Sequence, residues 1–159
     1  RRVALQRFHE LVQPQRPEAI AHAIEQLRTW AGSSPSDVPR LMTADELGAL
    51  SQSGVAIGAH TRRHVNLAHQ DPEVVRAEIE GSRADVATWT GADPVGFAYP
   101  FGLPRHDVSR MARDTVAQAG FSYAVVNQPT AVAGGHDPYT LPRLFAPDLG
   151  ADAFRAWLG

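Results

Sequence analysis

The amino-acid sequence predicts an α/β fold with a parallel sheet, and two observations carry this prediction. Short apolar segments that suit strands alternate along the chain with longer segments whose apolar residues recur at helical spacing. Such alternation is typical of parallel strands joined by helical crossovers. The predicted strands are Val55–Ala59, Val95–Ala98, Phe121–Val126 and a last extended segment within Tyr139–Phe145. So few strands cannot close an eight-stranded barrel.

Residues 1–40 are predicted to form a helical appendage to the α/β part. Apolar residues recur at helical spacing from Val3 to Val12 and again from Glu18 to Trp30. Pro14 and Pro17 separate the two helices. We interpret the second apolar stripe as core or as a docking surface. The Gly-, Ser- and Pro-rich run at 32–39 is loop-like, so residues 41–159 would carry the α/β part.

Start and stop signals place the helices of the α/β part. Thr43 and Glu46 fit a capping box. Asp71 followed by Pro72 indicates a second helix start. The predicted helices are Ala44–Gln52, one from Pro72 to the stop at Gly91, one from Val108 to Ala119, and Ala151–Leu158.

Composition excludes several classes of function. The net charge of −2 gives no electrostatic case for nucleic acid. The chain has no cysteine, so any metal site must use histidine and carboxylate ligands. No apolar run approaches the roughly 20 residues of a membrane span, and nothing resembles a signal peptide. We therefore expect a soluble protein of undetermined compartment and oligomeric state. The chain opens on Arg1-Arg2 rather than Met, which suggests the later part of a longer polypeptide.

Two histidines follow the first predicted strand. His60 comes directly after Ala59, and His64 stands four residues later. Residues at this spacing lie on one side of a helical turn, so two imidazoles could converge on one cation. The carboxyl end of a parallel strand is also where α/β folds place their chemistry. The alternative is a pair of solvated loop histidines beside Arg62 and Arg63, themselves read as solvated.

Two motifs carry a resemblance to a known family. They are the histidine segment His60-Thr61-Arg62-Arg63-His64 and the turn Phe97-Ala98-Tyr99-Pro100-Phe101-Gly102. In this order they resemble the second and third motifs of the polysaccharide deacetylases (carbohydrate esterase family four, NodB homology domain). Leu141-Pro142-Arg143 is also similar to that family. The resemblance runs from about Arg40 to the C-terminus.

The resemblance implies a partial, distorted (β/α) barrel and a divalent metal, commonly zinc, with His60 and His64 as ligands. The implied reaction is hydrolysis of N-acetyl or O-acetyl groups on an acetylated polysaccharide or oligosaccharide. The backbone N–H of Phe101 would stabilise the oxyanion. Arg143 would orient the base's carboxylate, unless it is a surface arginine that ends an edge strand. Tyr99 and Phe101 would floor the sugar site, unless they pack the top of the sheet.

Two departures from the family pattern stand out. Ala98 occupies a position where the third motif usually carries arginine. The first motif, a Thr-Phe-Asp-Asp-Gly-like strand end that supplies the base and the third metal ligand, is absent, and Asp45 at a helix start does not replace it. His136 lacks the context of the family's late histidine. We therefore expect an incomplete catalytic domain that is inactive alone. The alternative is a catalytically inactive carbohydrate-binding or interaction module of the same fold. If this chain alone were active, Asp107 and Asp137 would be the first candidates for its base.

Overall fold

The computed structural model describes residues 2–32 and 40–158. Within these ranges the helices are α1 (Arg2–Val12), α2 (Pro17–Ala31), α3 (Ala44–Gln52), α4 (Pro72–Thr90), α5 (Arg110–Gln118) and α6 (Ala151–Leu158). The strands are β1 (Gly96–Ala98), β2 (Tyr123–Val126) and β3 (Leu141–Pro142). Short 3₁₀ turns lie at Leu67–His69 and Pro138–Thr140. The alternation of helices with strands confirms the predicted α/β class.

The strands form one parallel sheet in the order β1-β2-β3. Phe97 lies opposite Ala124, and Val126 lies opposite Pro142. Pro142 has no N–H to give to a ladder, so it is tolerated in an edge strand such as β3. The carboxyl ends of β1 and β2 therefore open at the same edge, as parallel pairing requires.

The segment Val55–Ala59 corrects the prediction of a buried strand. Only Ala59 is buried, and it makes an isolated parallel bridge to Phe97. The Ala59 N–H donates to the Gly96 carbonyl at 3.0 Å, and the Ala98 N–H donates to the Ala59 carbonyl at 2.9 Å. Val55 is exposed, because in the described part of the chain the segment has a sheet neighbour on one side only. We call this side of the sheet, formed by residues 55–59, the open edge. The open edge ends directly before His60.

The core lies between the sheet and helices α4 and α5. Val75 and Ile79 of α4 are fully buried, as is Val116 of α5. On the sheet side, the ring of Phe97 packs at 5.3 Å from the rings of both Tyr99 and Phe121. This aromatic layer anchors the end of β1 from which the predicted turn leaves.

The helix caps were partly predicted. The capping box of α3 is confirmed, since the Glu46 N–H donates to the Thr43 hydroxyl at 3.2 Å and the Thr43 N–H donates to Glu46 Oε2 at 2.9 Å. Asp71 precedes α4 as predicted, but its side chain makes no capping hydrogen bond. It pairs with Arg16 instead. The nearby cation therefore takes the carboxylate away from the helix end.

The α2 stripe was predicted to be core or a docking surface, and the first of these does not hold for the described residues. Ile24 and Leu27 are close to half exposed, and Trp30 is 85% exposed. Pro17 at the start of α2 is buried, and two ion pairs lie beside it: Arg63 pairs with Glu18 at 2.7 Å and Arg16 pairs with Asp71. The predicted loop and boundary at 33–39 lie outside the described residues. No helix within residues 2–32 and 40–158 is long and apolar enough to cross a membrane.

Candidate active site

The structure brings His60 and His64 together at the end of the open edge. Their ring centroids are 4.9 Å apart, with the planes inclined at 76°. Nδ1 of His60 lies 2.7 Å from the carbonyl oxygen of Ala98. Because that oxygen can only accept, Nδ1 carries the proton and Nε2 keeps its lone pair, which is the form that binds a metal. Burial is the main cause that lowers the pKa of His60, which favours this neutral form.

Backbone strain is concentrated around these histidines. Among the residues that the structure describes, the non-glycine residues with positive φ are Thr61 (61°), His64 (54°) and Phe101 (61°). A left-handed conformation costs about 1–2 kcal/mol per L-residue. Such strain persists where surrounding contacts enforce it, and it clusters at functional sites. All three residues belong to the two motifs that sequence analysis singled out.

Arg62 and Arg63 are exposed loop residues, as the sequence indicated, with side chains 49% and 48% exposed, and each is also ion-paired. Nε and an η-nitrogen of Arg62 donate to the two oxygens of Asp85, each at 2.7 Å. Arg63 bonds Glu78 at 2.6 Å and Glu18 at 2.7 Å. Their hydrogen bonds to these carboxylates raise the pKa of both guanidinium groups. The two arginines therefore anchor the segment between the histidines to α4 and α2.

Sequence analysis missed Glu78. It lies on α4 and is only 1% exposed. A signal was present, because Glu78 falls at helical spacing among the buried residues Val75, Ile79 and Ser82. A charged residue inside a buried stripe needs partners there, since an unpaired buried charge is costly.

The turn after β1 lies against the histidine pair. The ring of Phe101 packs edge-on to that of His64, with centroids 4.9 Å apart. Asn127, which was also missed, follows β2 and donates through its amide nitrogen to the Phe101 carbonyl. Its Oδ1 accepts a hydrogen bond from Nε of Arg143 at 2.8 Å. Asn127 thus links the turn to Arg143, and the charge of Arg143 is one cause that lowers the pKa of His60.

Tyr99 corrects the prediction of a sugar-binding floor. Its side chain is fully buried, and its hydroxyl donates to the Tyr139 carbonyl at 3.1 Å. Burial raises the pKa of this phenol. The alternative from the sequence, that Tyr99 packs the top of the sheet, is what the structure shows. Alternation along β1 points Phe97 and Tyr99 into the core, so no face of Tyr99 is left for a ligand.

The two aspartates considered as bases have structural partners. Asp107 is buried and accepts hydrogen bonds from the Asn66 amide at 2.7 Å and the Leu103 N–H at 2.9 Å. Asp137 accepts from the Tyr139 N–H at 2.9 Å and begins a 3₁₀ turn. Both carboxylates are thus engaged in contacts that hold the fold. In the described ranges no cluster of three or more histidine, aspartate or glutamate side chains could hold a metal.

Two cavities flank the pair. One of about 660 Å³ lies beyond the turn and is lined by Asn127, Pro129, Arg143, Leu144, Phe145 and Ala146. Another of about 480 Å³ follows the open edge, where His60 and Thr61 line it together with residues of α3 and α4. The first cavity could receive part of a ligand, and the second borders the sheet side that lacks a neighbour.

Comparison with known proteins places this geometry in a family. A family model described as polysaccharide deacetylase matches residues 14–124. YxkH of Bacillus subtilis (strain 168) is 23% identical over 118 residues, which are 74% of this chain and 41% of that protein. The family model spans both the histidine segment and the turn, and it runs from residue 14 to residue 124 rather than from about Arg40 to the C-terminus as predicted.

Solved structures agree on the fold. A polysaccharide deacetylase from Bacillus cereus superposes with a TM-score of 0.58 at 20% identity, over 68% of this chain and 33% of that one. The deacetylase PplD of Streptococcus pyogenes, solved with acetate, gives 0.60 at 18%, over 65% and 44%. The chain thus spans less than half the length of each of these three relatives. The family model covers most of the chain. This chain belongs to the polysaccharide deacetylase family.

Proposed function

We propose that this chain carries half of the active site of a metal-dependent deacetylase that removes N-acetyl or O-acetyl groups from a polysaccharide. The observation that carries the proposal is the His60–His64 pair. It lies at the carboxyl end of a parallel segment, and the bond from Nδ1 of His60 to the Ala98 carbonyl leaves Nε2 of that ring for a metal. Membership of the family supplies the reaction class.

The donor set fits a divalent metal such as zinc, although only in part. Two imidazoles in contact are suitable ligands, and catalytic zinc sites normally use three protein ligands. A bound metal would supply Lewis-acid polarisation of the acetyl carbonyl and an activated water. His60 and His64 would hold it, and the Ala98 carbonyl would fix the orientation of the His60 ring.

Phe101 and Arg143 would act on the substrate side. We assign the backbone N–H of Phe101 to the developing oxyanion, because the turn that carries it packs directly on His64. The half-buried ring of Phe101 would also pack on the sugar. Arg143, held by Asn127 at 2.8 Å, would orient the carboxylate of the base. The cavity of about 660 Å³ beside Arg143 would take a neighbouring part of the chain-like substrate.

The base and third ligand would come from residues outside this chain. Asp107 and Asp137 are engaged in structural hydrogen bonds. The open edge beside His60 could take another parallel strand, because among the described residues the segment 55–59 has a sheet neighbour only at β1. A strand added there would end close to His60, since parallel strands present their carboxyl ends at one edge. We propose that such a strand brings the missing carboxylates.

The test is acetate release from an acetylated chito-oligosaccharide, with and without added zinc. It compares this chain, a form extended upstream by the preceding reading frame, and the extended form with His60→Ala. We expect turnover only from the extended form. Loss of a general base costs about 10²–10⁴ in rate, and excess zinc does not restore it. Turnover by this chain near the rate of the extended form would contradict the proposal. Saturable sugar binding without turnover in either form would favour the binding module.

A further inference from the structure

A buried carboxylate lies under the segment that joins the two histidines. Oε2 of Glu78 accepts hydrogen bonds from two successive backbone amides, those of Arg62 at 2.9 Å and Arg63 at 3.0 Å. Oε1 accepts from Nε of Arg63 at 2.6 Å. Successive N–H groups that point to one oxygen form an anion-binding concavity. Here the anion is a side chain of α4.

The two amides that bond Glu78 lie between the two histidines in sequence. Arg62 and Arg63 are the second and third residues after His60, and His64 follows at once. The residues on either side of the pair of amides, Thr61 and His64, have left-handed backbone conformations. A segment of this shape needs contacts that enforce it. Two of the three hydrogen bonds of Glu78 come from backbone amides of this segment, so they depend directly on its shape.

We propose that Glu78 is a positioning residue that holds the 60–64 segment so that the two imidazoles converge, and that it thereby sets the metal affinity of the pair. This inference rests on the proposed function of His60 and His64 as metal ligands. It adds a residue to that site which touches neither metal nor substrate. Groups that orient metal ligands typically change metal affinity by about 10–100-fold when they are removed.

The ion pair of Arg62 with Asp85 is a second anchor of the segment, and it is more exposed than Glu78. Arg62 bonds Asp85 with side chains that are 49% and 28% exposed, whereas the Glu78 side chain is 1% exposed. Exposed ion pairs contribute little to stability, and this one contacts the segment only through a flexible side chain. Glu78 bonds the backbone itself. The shape of the segment should therefore depend on Glu78 much more than on Asp85.

The experiment measures Ni²⁺ binding to the 159-residue chain by titration calorimetry, because Ni²⁺ binds imidazole well and needs no catalytic turnover for its detection. The variants are Glu78→Gln, which removes the charge at nearly constant volume, and Glu80→Gln, an exposed glutamate on the same helix, as the matched control. His60→Ala defines binding at other histidines. We expect Glu78→Gln to weaken the His60-dependent binding about tenfold or more. Glu80→Gln should bind as the wild type does.

The outcomes separate this inference from the proposed function. If His60→Ala leaves Ni²⁺ binding unchanged, the histidine pair is not a metal site and the proposed function fails. If His60→Ala abolishes binding while folded Glu78→Gln binds like the wild type, only the role of Glu78 is overturned. If Glu78→Gln does not fold, the test is made on the wild type, by measuring amide hydrogen exchange with and without Ni²⁺. Ni²⁺ should then slow exchange at Arg62 and Arg63, because coupling between sites is reciprocal. Unchanged exchange at these two amides in the metal-bound chain would contradict the inference.

Discussion

His60 donates a hydrogen bond from Nδ1 to the carbonyl oxygen of Ala98, at 2.7 Å. The bond joins the residue that follows the open edge to the residue that ends β1. It uses a carbonyl that lies at the end of the ladder, and it fixes both the tautomer and the ring orientation of the histidine. The carbonyl at the end of β1 thus orients His60, the proposed metal ligand that follows the neighbouring segment.

The first prediction concerns metal-dependent stability. Zinc should raise the thermal midpoint of the chain, since a ligand at 100 times its Kd stabilises the folded state by about 2.7 kcal/mol. His60→Ala and His64→Ala should each lose this effect. His69→Ala is the control, because His69 is an exposed histidine in the 3₁₀ turn at Leu67–His69. Differential scanning fluorimetry with and without zinc makes the measurement. An equal zinc effect in all four proteins would show that zinc binds elsewhere.

The second prediction separates the two aromatic residues of the turn. Tyr99→Phe should lower the free energy of unfolding by about 1–2 kcal/mol, because the Tyr139 carbonyl loses its partner. It should not change sugar affinity in the extended protein. Phe101→Ala should weaken sugar binding with a smaller loss of stability, since Phe101 is only half-buried. Urea unfolding and titration with a chito-oligosaccharide measure the two effects. A loss of sugar affinity in Tyr99→Phe would restore Tyr99 as a substrate contact.

The third prediction uses two glycines that lie inside helices. A Cβ at Gly48 would stand 2.8 Å from the backbone oxygen of Trp89, whereas a Cβ at Gly81 would stand 2.6 Å from Nε of Arg62. Backbone cannot move aside, but the end of an exposed arginine can. Gly48→Ala should therefore destabilise the chain by about 1–3 kcal/mol. In Gly81→Ala, the gain of about 1 kcal/mol in helix propensity roughly offsets the lost Arg62 ion pair.

Chemical denaturation of both glycine variants tests this pair. Equal destabilisation by the two substitutions would mean that Arg62 cannot leave its place beside Gly81. Removing Asp85 as well, in Gly81→Ala with Asp85→Ala, should cost little more than Gly81→Ala alone, since the ion pair is already broken.

The fourth prediction is a pH dependence of α3. Glu46 in the first turn of α3 makes hydrogen bonds to the Arg40 side chain and to the Thr43 backbone, and these lower the pKa of Glu46 to about 2. The folded pKa lies below the unfolded one, so the contribution of ionised Glu46 to stability is present above about pH 4.5. It is lost as the pH falls toward 2. The difference in urea midpoint between the wild type and Glu46→Gln should therefore shrink from pH 6 to pH 2. A constant difference would contradict the capping role of the carboxylate.

Local chemistry explains what could be predicted. The bounds of α3 follow from Thr43 and Glu46, and the contact of His60 with His64 follows from their spacing. The exposure of Val55 could not be read from its apolar neighbours, because a strand is buried only when both of its sides are covered. The burial of Tyr99 could not be predicted either, because it depends on which face of β1 packs against the helices. The role of Glu78 could not be predicted because its hydrogen-bond donors are backbone amides 15 and 16 residues away in sequence. The direction of these amides is defined only by the folded loop.

The contacts of Glu78 also bear on the order in which the site assembles during folding. The bond from Arg63 to Glu78 closes a loop of 15 residues, whereas the bond from His60 to Ala98 closes one of 38. By the logarithmic dependence of closure entropy on length, the shorter loop costs about 0.8 kcal/mol less. Contacts of short range tend to form in the transition state. We therefore expect the histidine segment to take its shape on α4 before β1 docks beside it, so that mutations at Glu78 would slow folding while mutations at Ala98 would mainly speed unfolding.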